Sequence, residues 1–281
     1  MKVGVIGLGL MGGSFARLLV KRGHEVYGLD KQDSVMLKAD MMKAITAPLT
    51  KESAKGLDML VVALFPELLE GALTPFLPHL KKGAVVMDFC GIKRPVCKTM
   101  ERLSLEYPHL TFVGGHPMAG REFSGIEHSS ITLFDRASMI LVNVNADIFA
   151  LDGIKKFFVS LGFGQVVITT AENHDSMIAY TSQLCHVVSN AFIKNAQASR
   201  HVGYSAGSYR DLTRVARLNP AMWSELIMEN RDMLKAELDE FITNLTAYKD
   251  AVDRGDRAEL ERLLSEGNER KLAIDTRSKN V

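Results

Sequence analysis

Short apolar runs alternate with longer amphipathic stretches over the first 169 residues. The runs are rich in Val, Ile, Leu and Met, and Gly, Pro and Asp separate them; they cover residues 3–6, 25–29, 59–64, 84–87, 111–113, 139–144 and 166–169. Short runs of this kind are typical of strands that helices cover on both faces. The pattern predicts an α/β domain built on a mostly parallel sheet.

The hydrophobic pattern changes after Ala171. Apolar residues then recur at helical spacing, and the only later proline, Pro220, follows an asparagine in a pair typical of a helix start. The predicted helices cover residues 173–201, 208–218, 219–251 and 256–278. No linker-like stretch separates the two patterns. We therefore expect an α/β domain over residues 1–169, followed by an all-α domain over residues 170–281.

Composition narrows the classes of function. The 281 residues include 34 basic and 33 acidic side chains, giving a net charge of +1, and such balance argues against a nucleic-acid or membrane-surface partner. The chain begins with a strand pattern and has no apolar run long enough to span a membrane. The 3 cysteines lack metal-type spacing, so we expect free thiols and no metal site. These features predict a cytoplasmic protein that binds a small molecule.

A glycine-rich turn follows the first predicted strand. The sequence G-L-G-L-M-G places Gly7, Gly9 and Gly12 between that strand and an amphipathic stretch over residues 14–22. In dinucleotide-binding folds such glycines make the turn, admit the pyrophosphate and let helix and strand pack closely, and the phosphates lie at the helix N-terminus. A purely structural turn is the alternative. The residues predicted to contact the dinucleotide here are Gly7, Leu8, Gly9, Leu10, Met11 and Gly12.

Asp30 indicates which dinucleotide binds. It follows the second predicted strand, 18 residues beyond Gly12, where a carboxylate accepts hydrogen bonds from the ribose hydroxyls and repels a 2′-phosphate. This favours NAD, although Lys31 keeps NADP open because a lysine there can meet a 2′-phosphate. The alternative role for Asp30 is to cap the next turn. Leu64 and Gly91 follow the ends of two further predicted strands, where we expect them to border the cofactor.

His116 is the candidate catalytic residue. It lies in the glycine-rich segment T-F-V-G-G-H-P-M-A-G, at the end of a predicted strand. Beside a nicotinamide, a histidine can accept the proton of an alcohol while hydride leaves the carbon, because its unperturbed pKa lies near 6.5. A structural histidine bonded to the backbone is the alternative.

Four motifs together resemble the prephenate and arogenate dehydrogenases of tyrosine biosynthesis. They are G-L-G-L-M-G-G-S, G-G-H-P-M-A-G, N-H-D-S-M-I-A-Y-T-S-Q-L-C-H and Y-R-D-L-T-R-V-A-R-L-N-P-A-M-W, in the family's order and over nearly the whole chain. The resemblance implies NAD-dependent oxidative decarboxylation. It also implies an active site between a nucleotide-binding domain and a helical domain through which the chain forms a homodimer.

The resemblance implies roles for individual residues as well. His116 would bond the ring hydroxyl of the substrate, Arg214 would bind a substrate carboxylate, and His186 would help to bind the substrate. Three further residues match family positions near the substrate: Arg210, Trp223 and Glu122. By the resemblance, Arg210 and Trp223 would reach the site of the neighbouring subunit. Arginines suit a substrate with two carboxylates because a guanidinium binds a carboxylate through two hydrogen bonds; a solvated basic helix face is the alternative.

Two positions depart from the family's pattern. Family members commonly carry a serine where Gly91 stands in D-F-C-G-I-K, and its hydroxyl bridges substrate and nicotinamide; Cys90 beside it is a weak hydrogen-bonding group. Some relatives carry a histidine where Gln183 stands. Both departures bear on the choice of substrate more than on the type of reaction.

The choice between substrates depends on the side chain, which carries a keto group in prephenate and an ammonium in arogenate. Arg210, Arg214 and His186 favour prephenate, whereas Glu122 could bind the ammonium. A β-hydroxyacid dehydrogenase would need a catalytic lysine after a glycine-rich segment, and no such segment precedes Lys194. A non-catalytic NAD-binding sensor is a further alternative.

The helices of the C-terminal half carry more apolar surface than one small helical layer buries. The residues concerned are Met222, Leu226, Ile227, Phe241, Ile242 and Leu245. We expect a dimer that forms through these helices.

Overall fold

The computed structural model describes residues 1–121 and 123–278, with side chains through residue 276. Its strands are β1 (Lys2–Ile6), β2 (Glu25–Leu29), β3 (Ala47–Pro48), β4 (Met59–Val62), β5 (Val85–Asp88), β6 (Thr111–Pro117), β7 (Ser138–Asn143) and β8 (Gln165–Thr169). The helices between the strands are α1 (Leu10–Lys21), α2 (Asp33–Met41), α3 (Lys51–Ala54), α4 (Leu69–Leu73), α5 (Arg94–Glu106) and α6 (Ile148–Ser160).

Helices alone follow β8 in the described part of the chain. They are α7 (Ala171–Ile178), α8 (Cys185–Phe192), α9 (Gly207–Thr213), α10 (Pro220–Glu229), α11 (Arg231–Asp253) and α12 (Arg257–Ser278). A π-helical segment, Ala179–Leu184, joins α7 to α8 and makes one continuous helix of the three pieces. None of the described helices combines the length and apolarity needed to cross a bilayer.

The strands form one sheet in the order β3-β2-β1-β4-β5-β6-β7-β8. Only β6 and β7 run antiparallel among the described neighbours; the other pairs are parallel. This confirms the predicted α/β fold with a mostly parallel sheet, and the strand order around β1 is that of a Rossmann-type domain. The strand order changes direction between β1 and β4, and ligands of such sheets bind in the crevice at the carboxyl ends of the strands at that point.

Apolar side chains cover both faces of the sheet. On one face Phe15 of α1 packs on Phe158 of α6, with ring centroids 6.1 Å apart. On the other face a second buried cluster includes Leu73 of α4 and Met100 of α5. Burial on both faces explains why the central strands β1, β4 and β5 are largely apolar rather than alternating.

By contacts the chain divides into two compact units, Met1–Asn230 and Arg231–Val281. The second unit pairs α11 with α12, and the Tyr248 hydroxyl donates a hydrogen bond to the carbonyl of Leu263 over 3.1 Å. The domain boundary expected near residue 170 stays a prediction.

Several predicted element bounds are wrong. The helix expected over residues 173–201 ends at Phe192, and the one expected over residues 219–251 is interrupted at Asn230, which has φ −120° and ψ 25°. Asn230 is fully buried, and its amide donates hydrogen bonds to the Asp175 carbonyl and to Gln183 Oε1, each over 2.9 Å. These bonds hold an asparagine at a helix end, a position that its short polar side chain favours. The two-residue strand β3 was not predicted.

The glycine turn after β1 depends on two glycines. Gly7 has a φ of +87°, and a Cβ there would lie 2.5 Å from the Ala63 carbonyl oxygen. A Cβ on Gly12 would lie 1.8 Å from the Gly7 carbonyl oxygen, whereas one on Gly9 would meet nothing within 4 Å. Gly7 and Gly12 therefore shape the turn, and Gly9 leaves space in front of it.

We expect Gly12→Ala to lower the free energy of unfolding by more than about 3 kcal/mol, because overpacking against the backbone exceeds the usual cost of about 1–3 kcal/mol. Gly9→Ala is the matched control and should change it by less than about 1 kcal/mol. Urea unfolding of the protein without added cofactor measures both. Equal losses in the two variants would contradict this account of the turn.

Candidate active site

The glycine turn presents backbone N–H groups at the start of α1. Gly9 is the N-cap of this helix and makes no side-chain capping bond, and the first turn carries no acidic residue. Leu8 is buried beneath the turn, while Leu10 and Met11 are partly exposed. A helix start of this kind attracts anions through its N–H groups and dipole.

Asp30 connects this turn to the end of β2. Its Oδ2 accepts a hydrogen bond from the Leu8 N–H over 2.9 Å, and its Oδ1 accepts one from the Gln32 N–H over 3.0 Å. The carboxylate thus caps the following turn, which is the alternative role considered for Asp30 from the sequence. It also lies beside the glycine turn, and each oxygen keeps a second lone pair for a ligand. Lys31, next to it, is exposed.

The ends of β4 and β5 meet beside the same turn. A Cβ on Gly7 would lie 2.7 Å from the Leu64 side chain, and the Cys90 thiol donates a hydrogen bond to the Leu64 carbonyl over 3.3 Å. Burial, together with the charge of Asp88, raises the pKa of this thiol well above its usual value. Cys90 therefore stays a neutral thiol, already bonded to the backbone, and does not replace the absent serine hydroxyl.

Gly91 is partly exposed beside Cys90. A Cβ at Gly91 would lie 3.5 Å from the nearest atom, Leu226 Cδ1, which is an ordinary contact distance. Packing alone would therefore admit the first atom of a serine side chain at this position.

His116 lies near the end of β6 and is paired with a second histidine. Its Nδ1 is 2.8 Å from Nε2 of His174, which lies on α7 and is buried. The Nδ1 of His174 is in turn 2.7 Å from Oδ1 of Asp175. The other nitrogen of His116, Nε2, has no hydrogen-bond partner among the described residues. In that part of the chain, Glu225 Oε1 is the one side-chain nitrogen or oxygen that is both buried and without a partner, so His116 Nε2 is not a buried atom. His116 Nε2 is thus accessible from the solvent.

Asp175 is held by the start of α5. Its Oδ1 accepts from the backbone N–H of Lys93 over 2.7 Å, and its Oδ2 accepts from the backbone N–H of Arg94 over 2.8 Å. Burial alone would raise the pKa of this carboxyl, but the bonds from His174 and the two backbone groups lower it. Asp175 is therefore ionised, and it fixes α7 to α5.

Lys93 forms a second buried charge pair at this point. Its ammonium bonds to Oδ2 of Asp88 at the end of β5, and both side chains are fully buried. Burial would lower the pKa of Lys93, but the carboxylate of Asp88 raises it above its usual value. Asp88 also accepts hydrogen bonds from the N–H groups of Cys90 and Gly115, over 2.8 and 3.1 Å.

The paired glycines before His116 make room for this charge pair. A Cβ on Gly114 would lie 3.2 Å from the Lys93 side chain and 2.8 Å from Cys97 Sγ. A Cβ on Gly115 would lie 2.7 Å from the Asp88 carbonyl oxygen. The expected close backbone approach is therefore present at both glycines.

The environment lowers the pKa of both paired histidines. Burial is the main cause for each; for His116 the neighbouring His174 and Lys93 add to it, so that its pKa lies well below 6.5. For His174, the hydrogen bond to Asp175 offsets only part of the effect of burial. Both imidazoles are neutral near pH 7.

His186 and Trp223 lie against each other, with ring centroids 4.1 Å apart. His186 is on α8 and its Nδ1 is 2.8 Å from the Ser182 carbonyl oxygen, which fixes the orientation of the ring. Because α7, the π-helical segment and α8 are continuous, His174 and His186 lie about 18 Å apart along one helix, at 1.5 Å per residue.

Arg214 follows α9 and is exposed. The backbone on either side of it is tied to α8: Ser189 donates a hydrogen bond to the Leu212 carbonyl over 2.7 Å, and Asn190 donates one to the Ala216 carbonyl over 2.9 Å. The helix that carries His186 thus holds the segment that carries Arg214.

Arg210 lines an open cavity of about 650 Å³ together with His201, Tyr209 and Arg217. The residues that line this cavity do not include His116, His186 or Arg214. Glu122 lies outside the described residues.

Four residues at this site were not singled out from the sequence: Asp88, Lys93, His174 and Asp175. Two signals were present in the sequence. D-F-C-G-I-K places an acid and a base around the end of a strand whose neighbours are apolar, and N-H-D places a histidine beside an acid on a helix. Charged residues in such apolar surroundings are rarely buried unless they are paired.

Two family models match this chain. The model described as "Prephenate dehydrogenase, nucleotide-binding domain" matches residues 15–168, and the one described as "Prephenate dehydrogenase, dimerization domain" matches residues 170–266. The chain belongs to the prephenate dehydrogenase family. Membership makes it a dehydrogenase of tyrosine biosynthesis with a nucleotide-binding and a dimerisation domain.

Individual relatives agree with this assignment. The chain is 27% identical to the cyclohexadienyl dehydrogenase of Zymomonas mobilis, over 98% of this chain and 96% of that protein. It is similar in structure to prephenate dehydrogenase from A. aeolicus in complex with hydroxyphenyl propionate and NAD+, at a TM-score of 0.83 and 25% identity over 98% of each chain. It is also similar to Synechocystis arogenate dehydrogenase, at a TM-score of 0.80 and 26% identity over the whole of both chains.

The lowered pKa values of His116 and His174 make stability depend on pH. Below about pH 6.5 the unfolded chain binds protons on these imidazoles that the folded protein does not bind, so the free energy of unfolding falls by up to about 1.4 kcal/mol per pH unit for each group. We expect His116→Asn to reduce the loss between pH 7 and pH 5.5, as measured by urea unfolding. His109→Asn, at an exposed histidine before β6, is the control. A loss in His116→Asn as large as in the unaltered protein would argue against a depressed pKa of His116.

Proposed function

We propose that the protein catalyses the NAD-dependent oxidative decarboxylation of prephenate to 4-hydroxyphenylpyruvate. The observation that carries this proposal is His116, at the end of a central strand, with one ring nitrogen accessible and the other bonded to His174. An accessible, neutral imidazole beside a dinucleotide site suits the removal of a hydroxyl proton during hydride transfer. Family membership favours this reaction over a β-hydroxyacid dehydrogenase or a non-catalytic sensor.

NAD is the proposed cofactor, and its role is to accept the hydride. The glycine turn fits a pyrophosphate because Gly9 leaves open space and the first N–H groups of α1 have no side-chain cap. The carboxylate of Asp30 fits the ribose hydroxyls and disfavours a 2′-phosphate. Leu64, whose side chain lies beside Gly7, and Gly91 are the proposed contacts of the nicotinamide half. The exposed Lys31 is the feature that would suit NADP instead.

His116 moves the proton of the substrate hydroxyl. Its Nε2 accepts that proton while hydride leaves the carbinol carbon, and the oxygen becomes a carbonyl. Loss of carbon dioxide then returns an electron pair to the ring, which becomes aromatic as the oxygen becomes a phenolate. The phenolate then takes a proton, and the imidazolium of His116 is the proposed donor. The proton that left the substrate hydroxyl thus returns to the product, so the reaction releases no net proton. The protein contributes to catalysis by positioning the substrate and by modest acid–base assistance.

The proposed orientation of the substrate places its hydroxyl at His116 and its carboxylates toward the side of His186. Its hydroxyl lies across the ring from its carboxylate and side chain, so that a hydroxyl on His116 directs the carboxylates away from it. Arg214 is the proposed carboxylate ligand, and His186, packed on Trp223, is a proposed substrate contact. Arg210 and Glu122 are proposed contacts too, with Arg210 and Trp223 acting toward the neighbouring subunit's site.

Arogenate is the second candidate substrate. The names of the similar proteins include a cyclohexadienyl and an arogenate dehydrogenase, and Glu122 offers a carboxylate for the ammonium of arogenate. The arginines favour the keto acid, so prephenate is the substrate that we propose. The cytoplasmic location remains a prediction.

We expect NADH to appear with prephenate and NAD, and less NADH to appear with arogenate and NAD. With prephenate and NADP, we expect less NADPH than the NADH formed with NAD. His116→Asn should lower kcat by about 10²- to 10⁴-fold, because the proton acceptor is lost, while NADH binding measured by fluorescence stays within about threefold. His109→Asn should leave both values unchanged. Unaltered turnover in His116→Asn would sink the assignment of His116, and no NADH from either substrate would sink the proposed reaction.

We propose that the chain forms a homodimer through its C-terminal helices. Of the apolar residues expected at the interface, Ile242 and Leu245 are 56% and 57% exposed, and both lie on α11. Leu226, by contrast, lies within contact distance of the Gly91 position. A monomer would leave the two α11 residues in water, which disfavours large apolar patches.

Light scattering should therefore give twice the mass of one chain, and Ile242→Glu together with Leu245→Glu should shift the protein toward one chain. Glu237→Gln, on the same helix, is the control and should leave the mass at two chains. A monomeric mass for the unaltered protein would exclude the dimer.

A further inference from the structure

We propose that His174 and Asp175 are positioning residues that hold His116 in the tautomer with its proton on Nδ1, which leaves Nε2 free to accept the substrate's hydroxyl proton. This inference rests on the proposed function for its catalytic consequence, whereas the tautomer itself is independent of any substrate. No role for His174 or Asp175 follows from the resemblance of the motifs or from the family match.

The direction of the hydrogen bonds follows from Asp175. Its ionised Oδ1 can only accept, and it already accepts from the Lys93 N–H, so the Nδ1 of His174, 2.7 Å away, must be the donor. A neutral imidazole has one N–H group. With the proton on Nδ1, the Nε2 of His174 has a bare lone pair.

The same reasoning fixes the proton on His116. The bare Nε2 of His174 is 2.8 Å from Nδ1 of His116, and two bare nitrogens do not approach so closely without a proton between them. His116 Nδ1 therefore carries the proton, and its Nε2 is bare. In water a neutral histidine populates both tautomers. The hydrogen bond from His116 to His174 favours one of them, so that no fraction of the enzyme has its His116 Nε2 protonated and unable to act as a base.

The arrangement also fits the charge that develops during the reaction. When His116 Nε2 takes the substrate's proton, the positive charge of the imidazolium lies one histidine away from the Asp175 carboxylate. The Nδ1 hydrogen bond to His174 then strengthens, because its donor has become charged. Lys93, a buried cation whose charge acts on His116, is paired with Asp88, which limits its opposition to that charge.

A matched pair of amide variants separates the two bonds that His174 makes. Gln places its terminal amide near the position of His174 Nε2, so His174→Gln keeps an acceptor for His116. Asn places its amide near the position of Nδ1, so His174→Asn keeps the donor to Asp175 and loses the acceptor for His116. Both variants remove an imidazole and leave a neutral amide, so a loss that comes only from removing the ring would affect both. Thermal melting and NADH binding check that both variants fold.

The first measurement is the tautomer itself, in the full-length protein with ¹⁵N-labelled histidine. Long-range ¹H–¹⁵N spectra near pH 8 report which ring nitrogen carries the proton, and the signals of His116 are those absent from His116→Asn. We expect Nδ1–H on His116 in the unaltered protein and in His174→Gln, and a mixture or Nε2–H in His174→Asn. An Nε2–H tautomer of His116 in the unaltered protein would overturn the proposal, whether or not the variants fold.

The second measurement is turnover with prephenate and NAD. We expect His174→Asn to lose about 10²-fold in kcat with little change in the KM for NAD, and His174→Gln to stay within about tenfold of the unaltered protein. Equal turnover in the two variants would contradict the positioning role. An unaltered protein that acts on neither prephenate nor arogenate would contradict the proposed function only, because the spectra would still decide the tautomer.

Discussion

The carboxylate of Asp175 is the group on which the arrangement of the site depends. It accepts hydrogen bonds from the first two backbone N–H groups at the start of α5 and from the ring of His174. These three bonds connect the helix after β5, the helix after β8 and, through His174, the end of β6. The buried carboxylate of Asp175 is tolerated because each of its oxygens accepts a hydrogen bond, and these donors come together only in the folded protein.

The neighbouring pair of Asp88 and Lys93 extends this polar centre into the sheet. Neither side chain reaches solvent, and removal of one partner of a buried pair commonly costs about 3–5 kcal/mol, because the remaining charge is left uncompensated. The exposed pair of Lys81 and Asp58 is worth about 0–1 kcal/mol by comparison. The buried pair also shapes the sequence around it, since Gly114 and Gly115 are the residues that let β6 pass so close to Lys93 and Asp88.

Much of the fold could be predicted from the sequence, and the reason is periodicity. Apolar runs identified seven of the eight strands, and the glycine turn identified the start of α1, because each depends on neighbours in sequence. The two-residue β3 carries too few residues to make a pattern. The break at Asn230 depends on bonds to Asp175 and Gln183, which are far away in sequence, so that local helical spacing continued across it.

The site, like the fold, could be predicted only where the signal lies in residues that are neighbours in sequence. His116 could be found from its own segment, because the glycines around it indicate close backbone approach. Its partner could not, since the bond to His174 forms only when α7 packs on α5 and β6. The role of Gln183 is likewise visible only in the fold: its amide donates a hydrogen bond to the Leu226 carbonyl and its oxygen accepts one from Asn230. The departure from histidine at this position therefore gives a residue that joins two helices.

The central claim is that a carboxylate sets the proton of the catalytic imidazole through a second histidine. Neutron diffraction from crystals of the protein grown in D₂O near pH 8 tests it most directly, because deuterium is seen at the nitrogen that carries it. The account predicts deuterium on Nδ1 of both His116 and His174 and none on Nε2 of His116. Deuterium on Nε2 of His116, with Nδ1 accepting from His174, would contradict it.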